Sequence, residues 1–113
     1  MTVYEQGDVV LVPYPFGERA GGRKRPALVI SPTVYNQNTS ELIIAQITGR
    51  LSGEARPGDY TIENWKDANL PRPALVRCRL ATLKTSLVLR RLGKLTETDF
   101  QNAQAAINTA LGR

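Results

Sequence analysis

The chain has 113 residues, room for one domain (1–113) and not for a second. It carries 15 Lys+Arg against 10 Asp+Glu, one cysteine and no histidine, for a formal net charge of +5. A histidine-pair nuclease is thereby excluded, a metal cluster is disfavoured, and Cys78 alone cannot build a disulfide framework.

Eleven of the 15 cations are arginine. Lysine suffices for solubility, whereas the planar guanidinium fork suits phosphate oxygens and base edges. The bias points to a nucleic-acid partner, with GC-rich codon usage as the alternative source. The segment Met1 to Asp8 lacks a basic start followed by an apolar run, and no apolar stretch approaches the roughly 18 residues of a membrane span. The expectation is a soluble, cytoplasmic protein with no membrane partner.

Along the chain, Val9 to Val12 is a β-branched, apolar strand, expected to end at Pro13-Tyr14-Pro15. Gly17 to Lys24 reads as a flexible, cationic loop, and Arg25 to Ile30 as a second strand closed by Ser31-Pro32. Val34 to Ser40 reads as a connection, and Leu42 to Thr48 as a buried third strand. Tyr60 to Glu63 alternates as a half-exposed strand. Ala74 to Leu80 alternates more cleanly: Arg77 and Arg79 share one face, while Val76, Cys78 and Leu80 pack inward.

Leu83 to Leu95 is ambiguous between a helical turn and a strand. Thr96 to Asp99 then caps a helix whose stripe is Phe100, Ala103, Ile107 and Leu111, ended at Gly112. Short strands with Gly- and Pro-rich turns and one terminal helix describe a mainly β (α+β) domain, a small barrel packed by a helix.

Four passages, in order, resemble the MazF/PemK family, the toxins of type II toxin–antitoxin pairs. They are Gly7 to Val12; Arg25-Pro26-Ala27-Leu28-Val29-Ile30; Ile47-Thr48-Gly49-Arg50; and Val76-Arg77-Cys78 through Ala81-Thr82-Leu83, with Leu92-Gly93-Lys94-Leu95 before the helix. The resemblance implies an SH3-like barrel of the CcdB/MazF/PemK-like toxin fold and a homodimer. It implies an endoribonuclease that cuts single-stranded RNA at a short motif, inhibiting translation and growth, and a MazE-like antitoxin whose acidic segment occupies the RNA groove. Cleavage is implied to use the RNA's own 2′-OH, leaving a 2′,3′-cyclic phosphate and a 5′-OH, with no metal or other cofactor.

The resemblance gives Arg25, Thr48 and Arg77 catalytic roles. Arg25 precedes Pro26, which presses its backbone toward extended geometry and suits its fork to two phosphate oxygens; the alternative is a loop cation pairing with Glu18. Thr48 offers a hydroxyl at a strand end, where a β-favouring threonine is the alternative. Two residues after Arg77, many relatives carry an acidic residue, proposed in some as the general base. Here that position is Arg79, which cannot accept a proton, leaving Glu18 as the candidate base.

Arg19, Arg23, Lys24, Arg50 and Arg79 are expected to grip RNA, and Phe16 to stack on a base, with Tyr14 and Trp65 as further aromatics of which Trp65 suits burial. Two other readings stand beside this one. One is an inactive homologue that binds RNA or an antitoxin. The other is a CcdB-like gyrase poison, disfavoured because the C-terminus Ala110 to Arg113 lacks the tryptophan those proteins use.

Overall fold

The structure, a computed structural model, describes residues 3–14 and 22–113. Strands β1 (Asp8–Tyr14), β2 (Arg23–Val29), β3 (Glu41–Thr48), β4 (Tyr60–Thr61), β5 (Leu75–Lys84) and β6 (Arg90–Lys94) accompany helices α1 (Thr33–Thr39) and α2 (Glu97–Ala110). The strands form one six-stranded antiparallel sheet in the order β4-β5-β3-β2-β1-β6.

Two bulges bend it. β6 gains Leu92 between the pairs Val9–Gly93 and Val10–Arg91, and β5 leaves Cys78 and Arg79 without a partner between Gln46–Arg77 and Ala45–Leu80. The result is a curled sheet with a C-terminal helix, the expected mainly β architecture.

Each face of the sheet has its own core. Val9, Leu28, Ala45, Ile47 and Val76 pack with Ala103 and Ile107 of α2. On the opposite face Val10, Val12, Ala27, Val29, Leu42, Ile44 and Leu83 cluster with Tyr4. The strands are apolar on both faces because both are covered.

Asp99, fully buried in the first turn of α2, joins the helix to the sheet. It accepts from the Tyr60 hydroxyl and from the backbone N–H groups of Glu63 (3.2 Å) and Asn64 (2.9 Å). Thr96 caps the helix as expected, its hydroxyl oxygen accepting from the Asp99 N–H at 3.2 Å.

Several local expectations are corrected. β1 runs through Pro13 to Tyr14, because β6 pairs with it only as far as Leu11 and a proline is tolerated on the edge beyond. β2 begins at Arg23, so Arg23 and Lys24 lie on a strand rather than in a loop. Residues Thr33–Thr39 form α1, not an irregular connection. Asn36, within that stretch, is buried and donates to the carbonyls of Tyr4 (2.9 Å) and Ser31 (3.1 Å).

The fourth strand is only Tyr60–Thr61, with Ile62 buried behind it. Leu83 to Leu95 divides into the end of β5, a 3-10 turn at Thr85–Leu87 and β6. Leu80, expected inside, is 38% exposed, and Leu111 at the end of the helical stripe is 52% exposed.

Candidate active site

The register determines which polar side chains meet. Ala27 pairs with Gln46, and Gln46 with Arg77 on its other side. Continuing the β2–β3 register by two residues brings Arg25 opposite Thr48. Cross-strand partners share a face, and so do residues two apart on a strand, so Arg25, Gln46, Thr48 and Arg77 lie together on the face opposite α2. On this face the apolar residues Val29, Ala27, Leu42 and Ile44 give way to polar ones where the end of β3 meets the starts of β2 and β5.

Arg25 is exposed. Its guanidinium carbon lies 5.7 Å from the Tyr14 ring centroid, and Nη1 donates to the Lys24 carbonyl at 3.2 Å. Among the described residues no carboxylate forms an ion pair with it. Thr48 is half-buried, and its Oγ1 accepts the Arg50 backbone N–H at 3.2 Å, which leaves the hydroxyl proton for another acceptor. Over the adjoining Gly49 lies the aliphatic stem of Arg72, 3.2 Å from where a Cβ would sit.

Arg77 is differently engaged. Its Nε and Nη2 donate to the two carboxylate oxygens of Asp59, each at 3.0 Å, with both side chains largely buried. Asp59 closes the tight turn Arg56-Pro57-Gly58-Asp59, whose Asp59 N–H donates to the Arg56 carbonyl at 2.9 Å. Gly58 is required there: its φ is +93°, and a Cβ would fall 2.7 Å from that of Cys78 and 2.9 Å from that of Ala110. The Arg77 hydrogen bonds, opposed by burial and aided by the Arg56 N–H, hold the Asp59 carboxyl below the usual carboxylate range.

The two-residue bulge preserves alternation along β5, so Arg79 belongs to the side of Arg77, as expected, and it is exposed. Arg23, Lys24 and Arg50 are exposed as well. Glu18, Arg19 and Phe16 lie outside the described residues. Trp65 packs against the α2 core. Among the described residues no group of three or more His, Cys, Asp or Glu side chains is placed to hold a metal ion, and no helix is long and apolar enough to cross a membrane.

A family model described as PemK-like, MazF-like toxin of type II toxin–antitoxin system matches residues 5–111. The chain belongs to this family.

Solved structures share the fold. A MazF from Deinococcus radiodurans is 22% identical over the whole of both chains, with a TM-score of 0.76. A MazE–MazF crystal form from the same organism is 25% identical, with 98% of each chain covered and a TM-score of 0.76. An endoribonuclease from a mycobacterial species, solved in complex with its cognate antitoxin, is 20% identical, covers 96% of this chain and 95% of its own, and has a TM-score of 0.77. No curated protein matches the sequence.

For this PemK/MazF-like toxin, sequence reading missed Gln46, Asp59 and Arg72. Gln46 had a usable signal, since it interrupts an apolar run within β3. Asp59 and Arg72 stand in turns beside prolines, where nothing local reports which strand they approach.

Proposed function

We propose that this toxin is a metal-independent endoribonuclease that cuts single-stranded RNA, mRNA included, at a short motif in the cytoplasm and so arrests translation and growth. The observation that carries the reading is the exposed Arg25 guanidinium, without a carboxylate partner among the described residues, on the same sheet face as the Thr48 hydroxyl, in a chain of this family. A mycobacterial endoribonuclease of the same fold supports it.

In the proposed reaction the 2′-oxygen attacks phosphorus and the P–O5′ bond breaks. The products are a 2′,3′-cyclic phosphate and a 5′-hydroxyl. Negative charge builds on the non-bridging oxygens, where a guanidinium and a hydroxyl held in advance act by electrostatic stabilisation and in-line positioning. Arg25 takes the first role and Thr48 the second. Arg77, tied to Asp59, acts by holding the turn that borders the site. Glu18 is the proposed acceptor of the 2′-OH proton, and the leaving 5′-oxygen takes its proton from solvent water. Arg19, Arg23, Lys24, Arg50 and Arg79 bind backbone phosphates, and Phe16 stacks on a base.

The unit is proposed to be one domain, 1–113, acting as a homodimer and neutralised by a MazE-like antitoxin, as the MazE–MazF complexes of the same fold suggest. Purified protein incubated with long single-stranded RNA in EDTA should give reproducible cuts with 5′-hydroxyl ends. Intact RNA beside an active control toxin would sink the reading.

One observation favours a second reading, an inactive homologue that only binds. Arg77 is occupied by Asp59 and a cation stands at position 79, so β5 supplies neither a free arginine at 77 nor an acid. RNA binding without cleavage would select it.

A further inference from the structure

We propose that Gln46 reads a base edge next to the scissile phosphate and so helps set which sites are cut, an inference that rests on the RNA-cutting reading above. Gln46 occupies the middle of the site face, with Ala27 across on one side, Arg77 on the other and Thr48 two positions along. The Ala27 methyl leaves space beside it, and the Arg77 fork is already filled by both oxygens of Asp59. On β3 the same face carries Leu42 and Ile44 in the core, so a carboxamide at 46 departs from an apolar pattern at the level where the site begins.

The side chain is half-buried, and among the described residues it makes no hydrogen bond. A carboxamide so placed keeps two donors and an acceptor open to a ligand. Phosphate oxygens are better served by the neighbouring cation and hydroxyl, to which a neutral amide adds little. Base edges are a closer match. Single-stranded RNA exposes Watson–Crick and Hoogsteen edges that set donors beside acceptors, and an amide answers both at once.

The test compares wild type with Gln46→Ala on one long RNA in EDTA, sequencing the cut ends and recording thermal melts. The expected result is loss of discrimination at a single position of the motif, by about 5- to 150-fold, with other positions and the melting temperature little changed. An unaltered motif, or a rate that falls equally at every site, overturns the proposal.

Should wild type cut nothing, the cleavage reading fails and binding decides. Fluorescence anisotropy with labelled oligo(A), oligo(C), oligo(G) and oligo(U) is then measured for both proteins. A base preference abolished in Gln46→Ala supports readout by Gln46, and a preference that survives refutes it. A wild type that neither cuts nor binds these RNAs overturns both readings.

Discussion

Arg25 combines exposure with restraint: Pro26 follows it, Tyr14 lies under its guanidinium, and β1 pairs with its backbone through Val12. Such a fork holds its orientation, and among the described residues no carboxylate consumes it, which is what a phosphate in transition requires. Arg25→Ala should therefore reduce cleavage by about 10²–10³ while the melting temperature changes little, because the side chain buries almost nothing. Arg25→Lys should recover only part, since an ammonium lacks the bidentate fork. Single-turnover rates for the three proteins check this, and equal rates would remove Arg25 from the site. Arg25 and Thr48 could be proposed from the chain because the family resemblance covers them and each stands at a punctuation point, a proline in one case and a strand end in the other. Asp59 could not, because its meaning depends on a partner 18 residues away.

At the scale of elements, Asp99 decides whether α2 stays on the sheet. Burial alone would raise its carboxyl pKa, but the bonds from Tyr60, from the Asn64 and Glu63 N–H groups and from Thr96 outweigh that and hold it below the ordinary value. Asp59 is shifted the same way. A carboxylate depressed in the folded state adds stability that is fully present above its unfolded pKa of about 3.9 and is lost as pH falls through the lower folded value. Melting temperature should thus be steady from neutral pH to about 5 and drop below about 4. Asp99→Asn should cost about 1–3 kcal/mol at pH 7 and shrink the acid-side drop. Melts across that range decide it, and an unchanged acid limb in the variant would place the linkage elsewhere. The helix itself was plain from its cap and stripe. α1 was not, since Thr-Val-Tyr-Asn-Gln-Asn-Thr has weak helix propensity; its buried Asn36, bonded to Tyr4 and Ser31, helps hold it in place.

At the scale of the whole molecule, a net charge of +5 with exposed Arg23, Lys24, Arg50 and Arg79 should make RNA binding strongly salt-dependent. Each phosphate neutralised on a single strand contributes about 0.7 to the log–log slope. Arg79→Ala should lower that slope by about one such step and weaken all RNAs alike, as a backbone contact does. Anisotropy titrations at several salt concentrations measure it, and an unchanged slope would take Arg79 off the RNA path. The sequence by itself determined the family, the strand-rich class and the terminal helix, and it put forward Arg25 and Thr48 as candidates. Periodicity, proline and glycine punctuation and helix caps all act within a few residues, so they can be read along the chain. Only the tertiary structure decided that Gln46 lies between Ala27 and Arg77, and that Asp59 fills the Arg77 fork. It also decided that β5 bulges at Cys78 and Arg79 and that Leu80 is exposed. Those outcomes come from strand register and from turns docking across the sheet, contacts between residues far apart in sequence that no local pattern encodes.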